Sequence, residues 1–187
     1  MKRKSLIHTA KDLFFKYGIK RVTVEEICQE AGVSKMTFYK HFKNKNELVK
    51  TMIIQITDEA MVQYREMMDS DIPFEEKVRG TIQMKLDGTS EMSQAFYADY
   101  LPNAEPELLE FMQMRAQEMY GEIIQDYKKA QEKGEIRQDV KIEFILWYLN
   151  KMLDLMKDEQ LEKMYDSPQD LILEMVNFFF YGIMPRK

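Results

Sequence analysis

The chain has 187 residues, seven glycines, five prolines and one cysteine, and 27 Lys plus Arg against 32 Asp plus Glu leave a formal net charge of −5. That length suits one well-buried domain or a small domain attached to a larger one. Stretches rich in Leu, Met, Glu, Lys and Gln, without strand-type alternation of Val and Ile, exclude a sheet-based fold and point to an all-α protein.

A single cysteine, Cys28, rules out an internal disulfide and fits a reducing cytoplasm. Lys11, Asp12 and Lys16 interrupt the apolar run that a signal peptide needs. The most apolar segment, around Phe178 to Met184, is far shorter than the roughly 20 residues that span a bilayer, so no membrane role is expected. The charge is divided along the chain. Residues Met1 to Lys50 hold 12 Lys plus Arg and 5 Asp plus Glu, giving +7, and the remainder is therefore −12. A basic head on an acidic body suits a head that meets a polyanion, although a fluctuation of surface charge gives the same count.

From Ser5 to Tyr17, Leu6, Ala10, Leu13 and Tyr17, flanked by Ile7 and Phe14, mark one face of a first helix, which Gly18 is placed to end. Thr23 with Glu26 three residues later forms a capping box, and Val22 with Ile27 a hydrophobic staple, so a second helix starts at Val24 and stops before Gly32. Ser34 then caps a third helix, and two short helices about a glycine turn make a helix-turn-helix. Phe38 and Phe42 fall on its inner side. Lys35, Met36, Thr37, Tyr39, Lys40 and Lys43 fall on an outer side that carries no carboxylate of its own, chemistry suited to a phosphate-lined groove. Asn44 caps a fourth helix with Glu47 at its third position. Lys45 sits in the exposed first turn, where a cation opposes the helix dipole unless an anion lies nearby.

The run TVEEICQEAGVSKMTFYKHFKNKNELV resembles the DNA-binding domain of the TetR family of bacterial transcription regulators, with Thr23, Ile27, Ala31, Gly32, Val33, Ser34, Thr37, Tyr39, His41, Phe42, Lys45 and Leu48 in register. Cys28 and Met36 depart from the residues usual at their positions. The resemblance implies a third helix in the major groove, with Lys35 donating to guanine and Met36 touching a thymine methyl. It implies phosphate or base contacts from Thr23, Ser34, Thr37, Tyr39, Lys40 and His41, and a phosphate contact from Lys45. It also implies a DNA-binding domain at 1–47 followed by a larger helical effector-binding and dimerisation domain at 48–187.

The fourth helix continues through Met68. Further helices are expected at about 74–86, 90–101, 106–133, 140–157 and 168–184, nine in all. The last two are apolar on more than one face, so each packs in its own core or against a second copy in a homodimer, as in TetR-like proteins. Sixteen methionines suit an adaptable small-molecule pocket. The candidate lining is Phe96, Tyr97, Tyr100, Phe111, Met112, Met119, Tyr120, Trp147, Asn150 and Asp154, residues that serve a core equally well. Neither histidine nor Cys28 has ligand or triad spacing, so no metal, cofactor or catalysis is expected. The expected function is a ligand-responsive repressor that binds a palindromic operator on double-stranded DNA as a homodimer. A helical interaction module that does not read DNA is the alternative, with a small helical enzyme behind it.

Overall fold

The computed structural model describes residues 1–100, 105–155, 158–165 and 168–183, and among them there is no strand. The helices are α1 (Lys2–Tyr17), α2 (Val24–Glu30), α3 (Lys35–His41), α4 (Lys45–Asp69), α5 (Phe74–Thr89), α6 (Gln94–Tyr100), α7 (Pro106–Glu132), α8 (Ile142–Leu155), α9 (Glu159–Glu162) and α10 (Pro168–Ile183). The nine expected helices are present among the described residues. The tenth, α9, has four residues and is too short to leave a periodic signal. Helix α5 runs through Gly88, where the sequence suggests a break, because a helical glycine costs only about 1 kcal/mol against alanine. No helix of the described residues is long and apolar enough to cross a membrane.

The chain packs as two compact units, one of Met1–Val62 with Glu91–Gln117 and the other of Gln63–Ser90 with Glu118–Lys187. In the first, Leu6, Ala10 and Phe14 of α1 share a core with Ile27 of α2, Phe38 of α3 and Leu48, Val49 and Met52 of α4. Periodicity gives α1 this face alone. The structure adds a second, because Phe15 meets the Phe96 ring of α6 edge-on at 4.8 Å, and Ser93 N donates to the Phe15 carbonyl at 2.8 Å. Cys28 is 4% exposed, and burial pushes its thiol pKa up, so it is held as a neutral core residue.

The second unit buries Phe74 and Val78 of α5, Tyr127 and Ala130 of α7, Ile142 and Ile145 of α8, and Phe179 and Ile183 of α10. Tyr127 packs edge-on against Phe74 at 5.6 Å, and Tyr148 stacks on Phe179 at 5.7 Å. Within this unit the buried carboxylate of Asp126 accepts from Tyr64 Oη at 3.1 Å and from both terminal nitrogens of Arg65, whose Nε lies 3.1 Å from Glu122. Burial and the adjoining Asp126 charge raise the Tyr64 pKa, keeping its hydroxyl a donor. Removing one member of such a cluster strands the others. Asp126→Ala should therefore lower unfolding stability by about 2 kcal/mol in urea denaturation, less than for a fully buried pair because Arg65 keeps contact with water.

Candidate nucleic-acid interface

The expected capping chemistry is all in place in the first unit. Glu26 N donates to Thr23 Oγ1 at 3.2 Å, while Thr23 N and Oγ1 donate to Glu26 Oε2 at 2.8 and 2.9 Å. The carboxylate stays ionised to lower pH because it accepts both bonds. Thr23 thus spends its hydroxyl proton on the cap and has none for a phosphate in this arrangement. Gly32, at φ 64, makes the turn. Ser34 Oγ accepts from Thr37 N at 3.2 Å and lies 3.0 Å from Thr37 Oγ1. Glu47 N donates to Asn44 Oδ1 at 2.9 Å, and the Glu47 carboxylate accepts from Lys43 N rather than from the cap residue itself.

These caps fix the rotation of α3. Phe38 and Phe42 are buried, while Met36 and Tyr39 stand 69% and 57% exposed beside exposed Lys35, Lys40 and His41. The Arg3 guanidinium lies over the Phe42 ring at 5.3 Å, adding a cation from α1 beside this surface. The outer face is therefore a row of donors, one thioether and one phenol on a helix whose inner side is anchored.

Two charged residues differ from the sequence expectation. Lys45 is not the free first-turn cation expected of it. Its Nζ donates to the carbonyls of Ile19 at 2.8 Å, Val22 at 2.9 Å and Lys20 at 3.3 Å. The electronegative partner that the helix dipole argument called for is the chain's own α1–α2 loop. Burial lowers the Lys45 pKa, opposed by the charges of Asp99 and Glu26. The same loop is held from α6, where Asp99 Oδ2 accepts from Lys20 N at 2.8 Å. Gly18, at φ 86, passes so close that a Cβ would come within 2.8 Å of that oxygen.

Glu25 is the second. The outer side of α3 has no carboxylate of its own, but Glu25 at the start of α2 forms an ion pair with Lys35 Nζ. The bond to Lys35 lowers the Glu25 pKa, and the same bond raises that of Lys35. Reading each helix separately cannot find this pair, since it joins residues ten apart across a turn. The only sequence signal is a glutamate in the first turn of α2 that the capping box leaves unused.

The described members of the ten candidate pocket residues fall in both units. Phe96 and Met112 lie in the core of the first unit, with Tyr100 and Phe111 packed against it and Phe96 stacked on Tyr100 at 5.3 Å. Met119 and Tyr120 are half-buried in the second unit. Trp147 of α8 is exposed and stacked on Phe144. The side chains of Tyr97, Asn150 and Asp154 lie outside the described residues. A polar groove between α1 and α4, about 320 Å³, is lined by Lys4, Ile7, His8, Lys11, Met52, Gln55, Ile56 and Glu59, none of them among the ten.

Residues 6–52, which hold this helix-turn-helix, match the family described as bacterial regulatory proteins, tetR family. The HTH-type transcriptional regulator UidR of Escherichia coli (strain K12) is 22% identical over 140 residues, 74% of this chain and 70% of that protein. The fatty acid degradation regulator FadR from Bacillus halodurans has the same fold at a TM-score of 0.77 and 17% identity, over 99% of this chain and 97% of that one. A transcriptional regulator from Saccharomonospora viridis, solved in complex with choline, matches at a TM-score of 0.78 and 16% identity, over 98% of each chain. With its anchored third helix and outward row of donors, the matched segment is a helix-turn-helix of the tetR-family kind, and the chain that carries it is a DNA-binding transcriptional regulator.

Proposed function

We propose that this protein is a ligand-responsive repressor that binds a palindromic operator as a homodimer, reading DNA through residues 1–47 and receiving a small-molecule effector in residues 48–187. The reading is carried by α3, which buries Phe38 and Phe42 and turns Lys35, Met36, Tyr39, Lys40 and His41 outward. An α-helix fits the major groove, so Lys35 and Met36, at its N-terminal end, reach base edges while Thr37, Tyr39, Lys40 and His41 hold backbone or neighbouring bases. Two heads related by a two-fold axis call for half-sites about one helical turn or somewhat more apart. Thr23, Ser34 and Lys45 serve the interface by shaping it. As a DNA-binding regulator the protein acts in the cytoplasm.

The dimer reading is supported by the outer face of α8 and α10. Phe144, Trp147, Leu173, Phe178 and Tyr181 are exposed, the last two at 77% and 75%, while Ile142, Ile145, Phe179 and Ile183 fill the core behind them. Several large apolar side chains exposed on α8 and α10 suit an interaction site, and a two-fold pairing of the two helices covers them with a second copy. Response to an effector is supported by α6, whose Phe96 and Asp99 touch α1 and the α1–α2 loop. A ligand that favours a different placing of α6 changes the population of DNA-competent heads, and a few kcal/mol of coupling is enough. That a structural neighbour holds choline fits an effector of small organic size.

The purified protein should bind the DNA upstream of its own gene in preference to random duplex, with affinity falling steeply as salt rises. Equal, salt-insensitive binding of both would end the DNA-reading proposal. Phe178→Arg, at an exposed position, should keep the helical circular dichroism but turn the dimer into a monomer in analytical ultracentrifugation, with loss of operator binding. A variant that stays dimeric would move the interface elsewhere. Lys45→Ala should weaken binding to every sequence and also lower stability by about 1–3 kcal/mol, since three loop carbonyls lose their donor. Weakened binding with stability unchanged would instead make Lys45 a direct phosphate contact.

A further inference from the structure

We propose that Glu25 is a specificity-determining residue, which with Lys35 forms a paired acceptor and donor that selects a G·C base pair where the start of α3 meets the major groove. The inference rests on the DNA-reading proposal above and adds to it a residue from outside the recognition helix. Its basis is the division of labour between two adjacent carboxylates. Glu26 is fully explained by the capping box, where it accepts from both Thr23 N and Oγ1. Glu25 lies outside the Thr23–Glu26 reciprocal pair; its carboxylate accepts from Lys35 Nζ and from its own backbone N–H.

Stability does not account for the pair. Both side chains are more than half exposed, and exposed pairs of this kind add little to folding. Their effect falls on what approaches Lys35. A lone lysine at the start of α3 is a mobile point charge, able to sit against a phosphate on any sequence. With Glu25 beside it the local charge is cancelled and phosphate oxygens are repelled, so unspecific attraction weakens. At a base pair the same two groups become complementary. Guanine offers the O6 and N7 acceptors to an ammonium, and its cytosine partner offers an N4 amine that only an acceptor can satisfy. Lys35 alone meets half of that pattern; Lys35 with Glu25 meets both halves. Adenine, with its N6 donor beside N7, matches the ammonium poorly.

The test is selection from randomised duplex DNA by the wild-type protein and by Glu25→Ala, Lys35→Ala and the double variant. Anisotropy titrations of the selected duplex and of random duplex over a range of salt accompany it, with thermal melts to confirm folding. Wild type should enrich a G·C pair at a fixed place in each half-site. Glu25→Ala should reduce discrimination at that pair by about tenfold, the size of one base-edge contact. It should also bind random duplex several-fold more tightly and show a log K against log salt slope steeper by about one per head, as the released Lys35 takes a phosphate. In the Lys35→Ala background, removing Glu25 should no longer steepen the salt slope, because no lysine is released, and should change discrimination less than it does in wild type. Unaltered preference and slope in Glu25→Ala would overturn the inference while leaving DNA reading intact, and so would equal effects with and without Lys35. No enriched sequence from wild type would overturn the DNA-reading proposal and this inference with it.

Discussion

Helix α3 has seven residues, too few to persist as an isolated helix in water, so every property of its outward surface depends on the burial of Phe38 and Phe42. Full burial of one phenylalanine contributes about 1.5–3 kcal/mol. Phe38 lies with Leu6, Ala10, Phe14, Ile27 and Leu48 in one core, and that core fixes both where α3 stands and which way it is rotated. The outward direction of Lys35, Met36, Tyr39 and Lys40 follows from the inward direction of the two rings. That outward surface stands on a close-packed core, which resists deformation.

The α1–α2 loop is the second fixed point, and polar bonds hold it. Three carbonyls of this loop converge on Lys45 Nζ, and its Lys20 amide is taken by Asp99. Gly18 lets the chain turn at a positive φ and leaves room for the Asp99 carboxylate. A lysine on α4 and an aspartate on α6 thus hold one loop from two sides. Any movement of α6 acts on the loop directly, without needing to pass through the apolar core, which is why a contact of so few atoms matters to the proposed response.

In the second unit the apolar residues of α8 and α10 divide between two surfaces. Ile145 and Phe179 close the core, while Trp147, Phe178 and Tyr181 face outward. A helix that is apolar on both sides has two surfaces to cover, and among the described residues of this unit one of them is buried. The Asp126 cluster shows the opposite economy, with one carboxylate serving both a tyrosine and an arginine, since a buried charge is tolerated only when its bonds are met.

Local chemistry made much of this legible in advance. Thr23, Glu26, Ser34 and Asn44 cap the helices their spacing predicts, because capping depends on residues three apart. Phe38 and Phe42 point inward because helical periodicity requires it. The burial of Phe15 could not be read in this way, as its partner Phe96 is 81 residues distant and α1 has a second face only because α6 lies on it. Composition suggests which aromatic residues and methionines can line a cavity, but it does not assign Phe96 and Met112 to the core they share with α1. The sequence by itself determined the helices, the turn and the inward face of α3, all consequences of neighbours within one or two turns. Only the tertiary structure decided that Lys45 binds the chain's own carbonyls and that Glu25 meets Lys35, because a charge takes whichever partner the fold brings near.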